Sequence, residues 1–331
     1  MPGSNRRGRA GLLVRFWGTR GSLPVARPAL AVQGKIARAL VAASGRKFND
    51  ELEAHAFARA NIDFATYGSY GGASSCVEIE GADGAFLVCD MGSGVREFGL
   101  DAMGRCAEGH PRVYHFFMSH LHWDHIMGFP FFGPAFDPAA TIVIHSGHED
   151  AELALRRQQE EISFPVPFDW LRARISFVTH RAGEPFDAAG VTVTLEGQHH
   201  SHESFGYRFE KKGRAVVYST DSEHKLDSMD VEEKFEAFFR DADLVICDTM
   251  YSLGDTVSLK QDWGHSSNVV AVDLCHAARA KRLALFHHEP TYSDRDILRM
   301  HHETIRYEEL VRADRPALEV LCAYDGLEVE V

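Results

Sequence analysis

Three histidines and an aspartate lie close together in the segment Met118 to His125. His120 and His122 end an apolar strand, where side chains alternate with period two, so both point to one side. Asp124 and His125 follow where the chain leaves the strand, and their side chains can turn to a neighbouring point. Imidazole nitrogen and carboxylate oxygen are ligands that zinc and similar ions prefer. The segment predicts a metal site, and the alternative is a solvated, histidine-rich turn.

Further candidate ligands occur much later in the sequence, each just after an apolar run. They are His199, His200 and His202 after 191–195, Asp221 after 216–220, and His287 and His288 after 282–286. Ends of strands are where α/β folds gather functional groups. Singly, such residues are more often surface or capping groups. Together with the HxHxDH motif at 120–125, they favour a shared metal site. Spacing alone does not choose among His199, His200 and His202, or between His287 and His288.

Apolar runs alternate with helical patterns along the chain, and this alternation predicts a layered α/β fold. Strands are expected at about 12–17, 76–80, 85–90, 112–118, 141–145, 191–195, 205–210, 214–219, 243–248, 281–286 and 317–322. Helices are expected after Gly94 and near 149–160, 231–240, 266–279 and 292–312. Ser266 is the expected N-cap of the helix at 266–279.

Residues 28–66 interrupt the alternation and carry helical signals of their own. Val32, Ile36 and Leu40 recur at four-residue spacing and form an apolar stripe, which predicts a helical insert. Such a stripe is expected to pack over the rim of a pocket or on a partner subunit, and packing on its own domain is the alternative. Residues 1–10 are expected to form a flexible tail and residues 11–331 one domain, with homodimer formation left open.

Composition restricts the partners and the compartment. The chain has 35 basic and 48 acidic residues, a formal net charge of −13, which argues against broad binding of nucleic acids. No long apolar stretch predicts a signal peptide or a membrane span. The six cysteines form no CxxC pair and are typical of buried thiols in a reducing compartment. A cytoplasmic protein without membrane contact is therefore expected.

The order of HxHxDH, a later histidine, a strand-closing aspartate and a final histidine resembles the metallo-β-lactamase superfamily. Further segments are similar to its phosphodiesterase-like branch, which includes RNase Z, class II cyclic-nucleotide phosphodiesterases and the phosphonate-pathway cyclic phosphodiesterase. These segments are Phe16 to Ser22, Tyr70 to Gly72, Ser119 to Gly128, Gly206 to Arg208, Thr220 to His224, Gly264 to Ser266 and Phe286 to His288. The resemblance implies an α/β fold, the four-layer αββα metallo-β-lactamase sandwich, here with a helical insertion near the N-terminus.

The resemblance also implies a ligand set and a reaction. It selects His200, six residues before Gly206, and His287. One divalent ion would bind His120, His122 and His200, and a second would bind Asp124, His125 and His287, with Asp221 and a hydroxide between them. Zn²⁺ is the expected ion, and Mn²⁺ or Fe²⁺ are alternatives. The hydroxide would attack a small anionic phosphodiester such as a cyclic nucleotide, which makes Asp124 part of the catalytic set.

A poor leaving group must be protonated as its bond to phosphorus breaks. The residue that matches the family's leaving-group acid is His265, and Asp248 takes the place of the carboxylate that orients it. An ordinary loop histidine and a strand-end turn aspartate are the plain alternatives. Glu223 and His224 are candidates for lining the substrate pocket, or are simply polar surface. Asp90, between a strand and a helix, is expected to support the metal site from beneath.

Two other functions remain compatible with the same residues. A metal-activated hydroxide also attacks acyl carbon, so hydrolysis of a lactone, thioester or β-lactam is the first alternative. The His265–Asp248 pair favours phosphodiesters, because thioester cleavage needs no strong leaving-group acid. A metal-dependent nucleotide sensor without turnover is the second alternative, and the complete ligand set argues against it.

Overall fold

A computed structural model describes residues 11–81, 84–201, 203–224, 229–251 and 265–331. Strands are numbered here in chain order within those ranges. They are β1 (Leu13–Gly18), β2 (Cys76–Glu80), β3 (Phe86–Cys89), β4 (Val113–Met118), β5 (Thr141–Ser146), β6 (Arg174–Thr179), β7 (Phe186–Ala188), β8 (Val191–Gln198), β9 (Ser204–Lys211), β10 (Arg214–Ser219), β11 (Leu244–Asp248), β12 (Arg282–Phe286), β13 (Glu319–Cys322) and β14 (Glu328–Glu330).

The α-helices of the described residues are numbered in the same way. They are α1 (Ala29–Ala42), α2 (Glu51–Asn61), α3 (Phe64–Tyr67), α4 (Val95–Ala107), α5 (Trp123–Ile126), α6 (Ala151–Gln158), α7 (Met229–Phe239), α8 (Asn268–Ala277) and α9 (Asp294–Val311). Short 3₁₀ turns lie at Phe129–Phe131, Gly133–Phe136 and Phe168–Trp170. No helix among the described residues is both long and apolar enough to span a membrane.

The strands form two seven-stranded sheets with matching organisation. The first has the order β14-β1-β2-β3-β4-β5-β6 and the second β13-β12-β11-β10-β9-β8-β7. In the first sheet the pairings from β3 to β6 are parallel, and in the second those from β10 to β13 are parallel. The remaining pairings in both sheets are antiparallel. Both sheets are therefore mixed, and each has its parallel strands side by side.

Apolar side chains fill three layers between the elements. Residues of both sheets, such as Phe16, Phe117, Tyr207 and Phe286, form the layer between the sheets. A second layer joins α7, α8 and α9 to the second sheet, and a third joins α4 and α5 to the first sheet. Central strands such as β3 and β11 are buried on both faces and are therefore continuously apolar runs, whereas the edge strands are partly exposed. The architecture is the predicted four-layer αββα sandwich.

The segment 28–66 is helical, with α1, α2 and most of α3, and its apolar stripe points outward. Val32, Ile36 and Leu40 are 44%, 55% and 68% exposed. Lys35 lies on the other side of α1, where its ammonium contacts the Asp294 carboxylate and the Gly68 carbonyl oxygen. α1 is thus attached through charged groups, whereas Phe64 of α3 packs against the apolar layer of the second sheet. The exposed stripe does not pack on the described part of its own domain, and its contact with a pocket rim or a partner subunit remains a prediction.

Several boundaries differ from the sequence-based expectation. The apolar pattern did not indicate β6, β7 or β14, because these are short or edge strands with exposed side chains. The N-cap of α8 is Ser267, whose hydroxyl accepts from the Val270 N–H, so the prediction of Ser266 was wrong by one residue. The expected tail at 1–10 lies outside the described residues.

Candidate metal centre

The carboxyl ends of the parallel strands bring the candidate residues to one edge of the sandwich. Asp90 follows β3 and His120 lies just beyond β4 in the first sheet. In the second sheet Asp221 lies just beyond β10, Asp248 ends β11, and His287 follows β12. Parallel strands present their carboxyl ends at the same edge, and for this reason residues separated by up to about two hundred positions meet there.

Three groups of possible ligand atoms form at this edge. His120, His122 and His200 make the first group, and Asp124, His125, Asp221 and His287 make the second. Asp221, Asp248, His265 and His287 make a third group, which shares Asp221 and His287 with the second. Within each group every residue offers an atom that lies within 4.8 Å of the others. The first two groups, called the ligand groups below, contain the seven residues that the sequence analysis named as ligands.

Asp221 faces both groups with different oxygen atoms. Its Oδ1 lies 3.7 Å from His120 Nε2 and 3.7 Å from His200 Nε2. Its Oδ2 lies 3.1 Å from His125 Nε2 and 3.3 Å from His287 Nε2. A carboxylate with one oxygen directed at each group has the geometry of a bridging ligand.

The donor atoms fit divalent metal ions and are poorly satisfied without them. His120 Nε2 and His125 Nε2 are buried and have no hydrogen-bond partner among the described residues. Buried polar atoms in native proteins nearly always have a partner, so orphaned nitrogens that converge indicate a missing cation. Nitrogen and carboxylate donors in sets of three and four match the ligand chemistry of zinc and related ions.

Protonation states agree with a cation site. Burial, and then the neighbouring charge of His125, lower the pKa of His120 well below its usual value, so its nitrogen keeps a free lone pair. Burial favours the neutral form of Asp221, but the facing His287, His125 and His120 outweigh it and hold the pKa of Asp221 well below its usual value. His120 and Asp221 are therefore in the forms that bind metals. His125 differs, because the carboxylates of Asp124, Asp221 and Asp90 outweigh burial and raise its pKa well above its usual value, so a metal ion would have to displace a proton there.

The backbone is strained at three of these positions. Asp90, Asp221 and His287 have φ angles of 60°, 48° and 60°, in the left-handed region that non-glycine residues rarely adopt. Asp90 and His287 directly follow buried strands, and Asp221 follows one after Thr220, so the turn that ends each strand also aims the side chain at the edge. Strain of this kind costs about 1–3 kcal/mol per residue and is concentrated at functional sites.

Asp90 fixes the second ligand group from beneath. Its Oδ2 accepts hydrogen bonds from Tyr218 and from Ser119 Oγ, both at 2.7 Å, and lies 2.7 Å from His125 Nδ1. Its Oδ1 accepts from the Ser119 N–H at 2.8 Å. With Nδ1 bound to Asp90, the other nitrogen of His125 is directed at Asp124 and Asp221. A carboxylate behind a histidine ligand sets its tautomer and ring orientation.

His265 and Asp248 form a pair beside both groups. His265 Nδ1 lies 2.7 Å from Asp248 Oδ2, and the Asp248 side chain is fully buried. The His265 ring centroid lies 5.2 Å from that of His200 and 5.2 Å from that of His287. Burial lowers the pKa of His265, but the charge and hydrogen bond of Asp248 outweigh it and raise the pKa to about 9. The pair keeps a protonated imidazole next to the ligand atoms.

The structure separates the alternative histidines. His199 is exposed and outside the ligand groups, and His202 lies outside the described residues. His288 is buried with its Nε2 2.8 Å from the Ala323 carbonyl oxygen, on the side away from the ligand group that contains His287. His200 and His287 are the histidines that join the groups.

The two pocket candidates differ from each other. Glu223 is half-buried, and its N–H donates to the His199 carbonyl. The His224 side chain is buried, and its ring packs edge-on against Phe235 and Phe239. Burial lowers the pKa of His224 to about 4. His224 is therefore a neutral group packed against aromatic side chains, and the lining of a substrate pocket by Glu223 or His224 remains a prediction.

Several residues contribute contacts that the sequence did not predict, although their segments carry the family resemblance. The Ser22 N–H donates to Asp124 Oδ2 at 2.9 Å, and Thr220 Oγ1 donates to Asp221 Oδ2 at 2.7 Å. Gly21 leaves no room for a side chain, because a Cβ there would lie 2.4–2.6 Å from Met250 and the His287 ring. Main-chain donors, single hydroxyls and close approaches depend on the folded arrangement, so residue types and spacing did not reveal them.

Comparison with known proteins agrees with this geometry. A family model described as "Beta-lactamase superfamily domain" matches residues 88–288, more than half of the chain. A search of curated proteins found no match. The fold is similar to that of the metallo-beta-lactamase fold protein YhfI from Bacillus subtilis, with 17% identity, 97% of this chain and 99% of that chain covered, and a TM-score of 0.61.

Two other solved structures share the fold at similar identity. A diphosphatase from the PhnP family is 18% identical, with 97% of this chain and 98% of that chain covered and a TM-score of 0.60. The short form of human tRNase Z is 18% identical, with 96% of this chain and 98% of that chain covered and a TM-score of 0.55. At these identities the likeness establishes a common fold over nearly the whole chain.

Proposed function

This chain belongs to the beta-lactamase superfamily, and we propose that it is a dinuclear, metal-dependent phosphodiesterase that acts on a small phosphodiester such as a cyclic nucleotide. The observation that carries the proposal is the combination of two ligand groups that share Asp221 with a His265–Asp248 pair beside them. Metal-dependent hydrolysis follows from the superfamily and the ligand groups. The phosphodiester specificity and the number of ions are the proposed part.

One ion would be held by His120, His122 and His200, and the other by Asp124, His125 and His287, with Asp221 between them. Zn²⁺ is the expected ion, because five imidazoles and two carboxylates are the nitrogen-rich donor set that it prefers. When bound, the ions supply positive charge and lower the pKa of water enough for it to attack phosphorus near neutral pH.

Charge balance supports an anionic substrate. Two divalent ions would bring four positive charges, and Asp124, Asp221 and the hydroxide would return three negative charges. The sum leaves a local cationic site within a chain of net charge −13, so electrostatic attraction is confined to the edge of the sandwich. A small diester can enter such a site, whereas a long polyanion would meet the acidic surface.

His265 is proposed to protonate the leaving oxygen. Asp248 binds Nδ1, and this hydrogen bond leaves Nε2 as the nitrogen that carries the transferable proton. Asp248 also keeps the imidazole protonated and oriented, since its fully buried carboxylate stabilises the charged form. An alkoxide leaving group needs this proton, and a weakly basic leaving group does not.

Hydrolysis of an acyl substrate is the second candidate, because the same ligand groups would activate water against a thioester, lactone or β-lactam carbonyl. The fully buried Asp248 behind His265 favours the phosphodiester reading. Two of the proteins with similar folds are named a diphosphatase and a tRNase, and cleavage of a phosphate linkage by these proteins supports the same choice.

The test is turnover by the metal-loaded protein on a matched panel. The panel contains a cyclic nucleotide, an acyclic alkyl phosphodiester, a thioester and a lactone, each assayed with the chelated protein as the control. Cleavage of the diesters at rates well above those of the acyl substrates is expected. Preferential cleavage of the thioester or lactone would replace the proposed function with acyl hydrolysis, and no turnover with full metal content would favour a sensor.

A further inference from the structure

The segment that carries His265 is tied to the segment that carries Asp221 by one side chain. Ser266 Oγ donates to the Ser222 carbonyl oxygen at 2.6 Å and accepts from the His224 N–H at 3.0 Å. All three residues are at most 4% exposed, so water does not compete readily for these hydrogen bonds. The Ser266 hydroxyl therefore satisfies two main-chain groups of the segment that follows Asp221.

The Asp221 segment is held independently on its other side. Ser204 Oγ donates to the Asp221 carbonyl oxygen at 2.6 Å, and Gln198 Nε2 donates to the Thr220 carbonyl oxygen at 2.8 Å. Both Ser204 and Gln198 belong to strands of the second sheet. These bonds would keep Asp221 in place if the Ser266 hydroxyl were removed, so Ser266 acts mainly on its own neighbour, His265.

His265 needs two constraints to deliver a proton. Asp248 constrains the rotation of the ring through Nδ1, but it does not fix where the backbone of residue 265 lies relative to the ligand groups. Ser266 is the next residue, with its Cα about 3.8 Å along the chain. Its hydroxyl binds the chain one and three residues beyond Asp221 and thereby sets the distance between acid and bridging carboxylate.

We propose that Ser266 is a positioning residue for proton transfer, a latch that fixes the backbone of His265 against the Ser222–His224 segment. The proposal rests on the proposed function, because it assumes that His265 is the leaving-group acid. Loss of the latch misplaces the acid without removing it or the metal ligands. Misplacement of a catalytic group by about 1 Å can cost on the order of a hundredfold in rate.

The neighbouring serine provides a matched control. Ser267 is equally buried, and its hydroxyl caps α8 by accepting from the Val270 N–H. Among the described residues it makes no hydrogen bond to the Asp221 segment. Ser266→Ala and Ser267→Ala remove the same atom from adjacent positions. Ser266→Ala removes the hydrogen bonds to Ser222 and His224, and Ser267→Ala weakens only the start of α8.

The experiment compares both variants with the wild type, all metal-loaded, on an alkyl phosphodiester and a p-nitrophenyl phosphodiester. Ser266→Ala is expected to slow the alkyl substrate by about tenfold to a hundredfold and the p-nitrophenyl substrate much less, with unchanged metal content. Hydrogen exchange at the His224 amide should accelerate in the same variant. Ser267→Ala should lower the urea midpoint and leave the rate ratio and the His224 exchange unchanged.

Equal losses on both substrates, loss of metal from Ser266→Ala, or the same rate ratio in Ser267→Ala would overturn the latch. If Ser266→Ala does not fold, Ser266→Cys takes its place, since a thiol of similar size is a weaker donor and acceptor. A wild-type rate ratio and wild-type His224 exchange in that variant would also overturn the latch. A wild-type protein that cleaves neither diester would instead reject the proposed function, and the latch with it.

Discussion

Two buried charged clusters lie in the same sandwich, and they differ in how their polar atoms are satisfied. At Glu78, each carboxylate oxygen accepts two hydrogen bonds, from Arg15 and Arg105 on Oε1 and from Trp17 and Arg105 on Oε2. Around Asp221, imidazole nitrogens approach the carboxylate at 3.1–3.7 Å, and two of them have no hydrogen-bond partner among the described residues.

This difference in hydrogen bonding distinguishes a cluster that stabilises the fold from one that could bind a ligand. Glu78 pairs with both arginines, and Glu328 and Asp101 provide further negative charge for Arg15 and Arg105, so this cluster is complete when the chain folds. The Asp221 cluster has converging donors that remain incomplete until a cation arrives, and two of its members, Asp221 and His287, have left-handed backbone conformations. Saturated buried charges thus mark structure, and unsaturated convergent ones mark a binding site.

The largest effect is expected at Asp221. Asp221→Ala removes the group that faces both ligand sets, so protein purified without chelator should lose at least one of two metal equivalents and nearly all hydrolytic activity. Elemental analysis beside a turnover assay measures both quantities. Full metal occupancy in this variant would remove Asp221 from the bridging position.

The opposite pattern is expected at Glu78. Glu78→Ala leaves Arg15 and Arg105 buried without their shared partner, which should lower the free energy of unfolding by about 3–5 kcal/mol. Metal content and turnover of the folded fraction should not change, because Glu78 contacts no ligand. Urea denaturation and elemental analysis measure the two effects, with Glu97→Ala on the exposed face of α4 as a control. Metal loss in a folded Glu78→Ala protein would break the distinction between the clusters.

The smallest effect is expected at Asp248. His265 must be protonated to act as an acid, so the rate on an alkyl diester should fall as pH rises through its pKa. The Asp248 carboxylate raises that pKa, and Asp248→Asn should therefore move the falling limb to lower pH. The rate at neutral pH should drop less than on loss of the imidazole itself. A pH profile of kcat/KM for both proteins measures the shift, and an unmoved limb would contradict the role of Asp248.

The convergence of the ligand-group residues was predictable, because the candidates lie at or just beyond strand ends. His120, Asp221 and His287 end strongly apolar strands, and the α/β alternation places such ends at a common edge. The resemblance to a known superfamily then chose His200 over His199 and His287 over His288. Where residue type, strand end and motif coincide, the sequence specified both the fold and the ligand groups.

The remaining parts depended on contacts that leave no local pattern. Ser266 and Ser267 are adjacent serines before one helix, and only the folded chain shows that the second is the cap and the first the latch. His224 follows Asp221 by three residues, yet its ring packs against Phe235 and Phe239. The apolar stripe of α1 predicted burial, and the charged attachment of Lys35 to Asp294 turns that stripe outward.

The central claim is that His265 donates a proton to the leaving oxygen and is not itself a metal ligand. The most direct measurement compares His265→Ala with the wild type on an alkyl and a p-nitrophenyl phosphodiester, with metal content determined for both proteins. We predict a loss of about a hundred- to ten-thousand-fold on the alkyl substrate, a much smaller loss on the p-nitrophenyl substrate, and unchanged metal content. Equal losses on the two substrates, or loss of metal from the variant, would contradict the account.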